Sequence, residues 1–90
     1  MNYIAYFFFD GGGIGVEFPD VPGAYTCAES MDEALHAARE SLNGVLKAML
    51  ERGERLPEAK TKATDLCMHD IEVDEDIVRM AEDGKKRSKK

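Results

Sequence analysis

Hydrophobic residues open the chain almost without interruption, and they fall on both alternating faces of an extended segment. Tyr3, Ala5, Phe7 and Phe9 point one way, and Ile4, Tyr6 and Phe8 point the other. A strand apolar on both sides belongs inside a sheet, so residues 2–9 are expected as an interior strand. Asp10-Gly11-Gly12-Gly13 then forms a turn in which positive φ is reached without steric cost. Ile14, Val16 and Phe18 alternate with Gly15 and Glu17, the period of two of a half-buried strand. The two segments are read as a hairpin.

Pro19-Asp20-Val21-Pro22-Gly23 cannot continue a central strand, because two prolines remove ladder donors. Pro22-Gly23 marks a turn, and a short third strand is expected over about residues 24–28. Ser30-Met31-Asp32-Glu33 is a capping box, in which the Ser30 hydroxyl and the Glu33 carboxylate satisfy each other's amides. Asp32 and Glu33 also complement the positive end of the helix dipole. Leu35, Ala38, Leu42, Val45, Leu46 and Met49 recur at steps of three and four as one apolar stripe. His36, Arg39, Glu40, Asn43, Lys47 and Glu51 fall mainly on the other faces. Gly53 supplies a left-handed stop and Leu56-Pro57 confirms it.

A polar connector over residues 57–64 leads to a last strand, placed at 65–73 by Leu66, Met68, Ile71 and Val73. Behind the acidic cap Asp74-Glu75-Asp76, residues Ile77, Val78, Met80 and Ala81 suggest one or two helical turns ended by Gly84. The order is thus β-β-β-α-β and the class α+β: one helix on one face of a four-stranded mixed sheet. The last strand is expected parallel to the first, through a right-handed crossover. Residues 1–74 are read as the globular domain. Residues 75–90 are read as a short helix and a disordered basic tail. The uncovered sheet face, apolar from the first strand, favours a dimer or a partner there.

Ninety residues make one domain, and 43% hydrophobic residues suffice for a modest core. No apolar run approaches the roughly 18 residues of a membrane span. The opening segment lacks a basic flank and a cleavage site, so it reads as a strand rather than a signal peptide, and the protein is expected to be cytoplasmic. Cys27 and Cys67, far apart and without a CxxC pair, are expected as ordinary thiols.

Charge changes the picture more. The net charge is −6, but Lys85, Lys86, Arg87, Lys89 and Lys90 are all at one end. Residues 1–84 set 7 basic residues against 18 acidic ones, a net of −11. Such a body repels nucleic acid at long range and draws basic partners. The tail, without aromatics, offers at best nonspecific, salt-sensitive phosphate contacts.

Catalytic readings are weak. Asp10, Asp65, Asp70 and Glu72 form a conceivable carboxylate cluster, yet two-metal hydrolysis needs carboxylates converging on ions roughly 4 Å apart. His36 and His69 have no nucleophile that pattern places beside them. The triple glycine joins two strands, whereas a phosphate loop precedes a helix. No metal site, cofactor or enzymatic activity is expected.

The run Gly15-Val16-Glu17-Phe18-Pro19-Asp20-Val21-Pro22-Gly23-Ala24-Tyr25-Thr26, then Ser30-Met31-Asp32-Glu33-Ala34 and Gly53-Glu54-Arg55-Leu56-Pro57-Glu58, resembles the HicB antitoxin family. The resemblance covers roughly residues 3–73. It implies a truncated RNase H-like core and a non-catalytic antitoxin of a type II toxin–antitoxin system. The partner it implies is a small basic HicA-type toxin, which cleaves mRNA with one histidine and is neutralised by occlusion. Many family members also carry a C-terminal DNA-binding domain. The 17 residues after Val73 are too few for one, so no complete DNA-binding domain is expected among them. The residues expected to meet the toxin are Asp20, Tyr25, Glu29, Asp32, Glu33 and Glu40. Against this stands a stand-alone regulator or scaffold of the same fold that binds another protein or a nucleic acid.

Overall fold

The computed structural model describes residues 1–87. It contains, in order, β1 (Asn2–Asp10), β2 (Gly13–Glu17), β3 (Tyr25–Ala28), α1 (Met31–Glu51), β4 (Met68–Glu72) and α2 (Glu75–Arg87). The strands form one sheet in the order β3-β2-β1-β4, so the doubly apolar β1 lies inside as its pattern requires.

β1 and β2 pair antiparallel with Asp10 opposite Gly13, leaving Gly11-Gly12 as a two-residue turn. Both glycines have positive φ (57° and 91°), the condition for a type I′ hairpin turn whose twist matches the strands. β3 pairs antiparallel with β2, Val16 facing Thr26. Between them the Phe18–Ala24 loop folds on itself, the Val21 amide donating to Phe18 and the Ala24 amide to Val21. Phe18, Val21 and Ala24 are all buried, so this loop serves as part of the core.

One expectation fails here. β4 is antiparallel to β1, with Tyr3 opposite Ile71 and Tyr6 opposite Met68, so the sheet is wholly antiparallel rather than mixed. The crossover rule assumed that the helix hands the chain directly to the next strand. Instead the connector makes a pass of its own along the molecule. It is tied near the start of β1 by the Tyr3 hydroxyl, which donates to the Pro57 carbonyl at 2.5 Å. It arrives beside Phe7, whose amide donates to the Cys67 carbonyl. That extra pass reverses the direction in which β4 enters.

α1 begins at the expected cap, Ser30 accepting from the Glu33 amide, while the Glu33 carboxylate reaches back to the Glu29 amide rather than to that of Ser30. It ends in a paired closure at Gly53 (φ 80°): Gly53 N–H donates to Leu50 and Glu54 N–H to Met49. Ala34, Ala38, Leu42 and Leu46 are fully buried and pack on Tyr3, Ala5, Phe7, Val16 and Ile71 of the sheet. The buried stripe thus runs through Ala34, while Leu35, expected in it, stays 38% exposed. Asn43, expected on a polar face, is buried.

Val73 and Ile77 close the core from the C-terminal side. α2 continues past Gly84, where a stop was expected, to Arg87. Of the expected basic tail, residues 88–90 lie outside the described residues. Among the described residues no helix is long and apolar enough to cross a membrane.

Candidate binding surfaces around the first helix and the open sheet face

The six residues singled out from sequence separate into three places. Glu29, Asp32 and Glu33 come together at the start of α1, because the capping box folds Glu33 back until its carboxylate accepts from the Glu29 amide (3.4 Å). All three are exposed. Glu40 lies further along the same helix, where its carboxylate meets His36 Nε2 at 3.0 Å, both side chains mostly in solvent. These positions set a group of exposed carboxylates at the start and along the outer flank of α1.

Tyr25 belongs to a different surface. Its side chain stands on the sheet face away from α1, and it is 53% exposed. The register puts Tyr6 and Phe8 of β1 on that face as well, with Glu17 opposite Tyr6. The Tyr6 and Phe8 rings stack at 5.9 Å between centroids, and Phe8 approaches Tyr25 at 6.4 Å. Gly15 makes this arrangement possible: a Cβ there would lie 2.6 Å from the Phe8 ring. The three rings form an aromatic ridge that α1 does not cover. Tyr25 is joined to the helix through its carbonyl, which accepts from the Ser41 hydroxyl at 3.3 Å.

Asp20 stands apart from both. Its two carboxylate oxygens accept from the Thr61 amide and the Thr61 hydroxyl, each at 2.8 Å. Burial works against its ionisation, but the Thr61 and Lys60 hydrogen bonds and the Lys60 charge outweigh it. The carboxyl is held below its ordinary 3.8. Burial, helped by the Asp20 charge, pushes the Tyr3 phenol above its ordinary 10.0. Asp20 and Tyr3 thereby fasten the connector to the core, the physical work of the acidic residue between two prolines.

Sequence reasoning missed Asn43. Its side-chain amide donates to the Arg39 carbonyl (2.8 Å) and the Glu72 carbonyl (3.3 Å), and its Oδ1 accepts from the Asp74 amide (2.7 Å). It therefore locks α1 to the exit of β4 and the start of α2. Arg39 reinforces the joint from outside, meeting Asp74 at 3.0 Å and Glu72 at 3.7 Å. The signal available in the sequence was position: Asn43 adjoins Leu42 and stands three residues before Leu46, at the border of the apolar stripe.

Asp65, Asp70 and Glu72 are among the carboxylates weighed for nuclease chemistry. Asp65 accepts from the Cys67 amide at 2.7 Å, and Asp70 and Glu72 lie on the β4 edge. Among the described residues no three His, Cys, Asp or Glu side chains are grouped as metal ligands. Cys27, on β3, and Cys67, just before β4, are free and exposed, near opposite edges of the sheet.

The sequence model described as the HicB-like antitoxin of bacterial toxin–antitoxin systems matches residues 8–87, most of the chain. The chain belongs to the HicB-like antitoxin family. Its fold agrees with solved family structures. The N-terminal domain of the Burkholderia pseudomallei antitoxin HicB superposes with a TM-score of 0.63 at 23% identity, over 82% of this chain and 99% of that one. A HicA3 and HicB3 toxin–antitoxin complex gives 0.63 at 19% identity, over 82% of this chain and 99% of the matched one. The longer Burkholderia pseudomallei HicB structure gives 0.62 at 24%, over 86% of this chain and 66% of that one. An uncharacterized 14.9 kDa protein from the rep-hol region of Haemophilus phage HP1 is 36% identical over 47 residues. That stretch is 52% of this chain and only 35% of the phage protein, so the chain matches about a third of its length.

Proposed function

We propose that this HicB-like chain is an antitoxin that binds a small basic HicA-type toxin and covers its RNA-cleaving site, without catalysing a reaction itself. Membership of the antitoxin family is the observation that carries this reading. Two features support it. One is the net of −11 over residues 1–84. The other is the exposed carboxylate flank of α1 formed by Glu29, Asp32, Glu33 and Glu40. Charge of one sign on an accessible face speeds encounter with a cationic partner and selects against anionic ones. One of the solved structures that resemble this chain is itself a toxin–antitoxin complex.

The exposed aromatic ridge of Tyr6, Phe8 and Tyr25 favours self-association, beside the expectation that Tyr25 meets the toxin. Phe8→Lys should therefore shift sedimentation toward monomer, and an unchanged profile would remove that assignment.

The test of the main reading is RNA cleavage by the cognate HicA-type toxin at increasing ratios of this chain in moderate salt. Loss of cleavage at a fixed stoichiometry, with a stable complex, is the expected result. Undiminished cleavage without a complex would refute it and favour a regulator or scaffold of the same fold. The double charge reversal Asp32→Lys and Glu33→Lys should slow association and flatten its salt dependence. Unchanged association kinetics would remove those residues from the interface.

A further inference from the structure

At the end of the molecule where α1 begins, the inner face of the sheet runs out from under the helix. Phe9 is 90% exposed, Leu66 is 95% exposed and Met31 is 37% exposed. Together with Phe7, Ile14 and His69 they line an open notch of about 140 Å³. Its base is ordered: the His69 imidazole meets the Phe7 ring edge-on, with centroids 5.0 Å apart. Apolar side chains so exposed in so small a domain mark a contact surface rather than a folding requirement. A cavity of about 150 Å³ holds one benzene ring, so the notch suits a single aromatic or branched aliphatic side chain.

The charge around it identifies the visitor. Register and hydrogen bonding bring three segments to this end: residues 7–14 through the hairpin, 27–36 through β3 and the helix start, and 65–69 through the entry to β4. They contain Asp10, Glu29, Asp32, Glu33 and Asp65 and not one lysine or arginine. The seven basic residues of positions 1–84 all occur in other segments. An isologous pair of copies joined here would set one acidic rim against another. A basic partner meets no such repulsion.

We propose that this notch is the anchor point for the basic toxin, taking one apolar side chain of that protein while the surrounding carboxylates meet its cations. The inference rests on the antitoxin reading and adds to it the place on this chain where most of the binding energy is concentrated. Buried anchors act mainly on dissociation, whereas rim charges act on encounter.

The experiment uses the full chain and a HicA-type toxin inactivated at its catalytic histidine, with association and dissociation rates read by surface-bound kinetics. Phe9→Ser and Leu66→Ser alter side chains already in solvent, so their melting temperatures should match the parent. Each should raise Kd roughly 30-fold or more, almost entirely through faster dissociation. Parent-like Kd in both variants, with the parent chain still inhibiting the active toxin, would overturn the anchor and leave the antitoxin reading standing. A change in self-association of the variants alone, with toxin affinity intact, would overturn it too. A parent chain that binds no toxin would overturn both.

Discussion

Asn43 offers the sharpest test of how the C-terminal part of the domain is held. Its side chain supplies the partner of the Asp74 amide and of the Glu72 carbonyl, from a position only 6% exposed. Asn43→Ala strands both groups, while the Arg39 carbonyl keeps the backbone bond of the helix. A fully buried polar group left unpaired costs about 1–3 kcal/mol. Both groups here border solvent, since Asp74 is half-buried and Glu72 exposed, so the low end applies to each. Their sum, less the few tenths by which alanine improves the helix, is about 2 kcal/mol. In a domain of this size about 1 kcal/mol displaces Tm by roughly 4–8 °C, so a fall of about 8–16 °C is expected. The companion variant Arg39→Ala removes the outer ion pair, whose side chains are 53% and 47% exposed. An exposed pair of that kind is worth about 0.2–1 kcal/mol. Thermal unfolding followed by circular dichroism measures both, and hydrogen exchange should show amides of residues 77–83 losing protection in Asn43→Ala first. An Arg39→Ala variant as unstable as Asn43→Ala, or an Asn43→Ala variant melting within a degree or two of the parent, would refute the argument.

Four further outcomes follow from the packing and the titrating groups. Leu42, fully buried in the centre of α1, should cost roughly 2–5 kcal/mol as Leu42→Ala in denaturant unfolding, through lost burial and a residual cavity. Gly15→Ala should displace the Phe8 ring and cost about 1–2 kcal/mol. Because the clash is with the outer edge of that ring, the cost should largely vanish in a Phe8→Leu background, which a double-mutant cycle detects. The Tyr3 phenol is raised, so the fold favours its neutral form; that stability is present below pH 10.0 and is lost as pH rises through the folded-state value. Asp20 is lowered, so its contribution is present above pH 3.8 and is lost as pH falls through the folded-state value. Tyr3→Phe should flatten the alkaline limb of a stability profile and Asp20→Asn the acid limb, and parent-like limbs would contradict these assignments.

Much of the chain was legible because its rules are local. Asp10-Gly11-Gly12-Gly13 marked the hairpin turn, and the register found narrows it to Gly11-Gly12, with Asp10 and Gly13 already paired. Ser30 and Glu33 marked the start of α1, and Gly53 its end, through hydrogen bonds that span five residues or fewer. The family resemblance rested on the same kind of signal, a run of prolines, glycines and caps at fixed spacing. The candidate carboxylates at the start of α1 were legible for the same reason, since a capping box fixes where its own side chains go.

Sequence by itself therefore determined the elements, their order, the interior position of β1, and the acidic character of the body. What tertiary structure decided was direction and convergence. The orientation of β4 depends on a connector fastened by Tyr3 to Pro57 and by Asp20 to Thr61, contacts separated by 54 and 41 residues. No periodicity encodes such ties, because the polar residues that make them look like any solvated loop until the core is assembled. Helical spacing likewise defines a stripe but not its exact angle to the sheet. That angle buried Ala34 and Asn43 and left Leu35 at the margin. It also left Phe9, Met31 and Leu66, from three separate segments, around one notch: each residue's identity was local, while their meeting was a property of the packed sheet and helix.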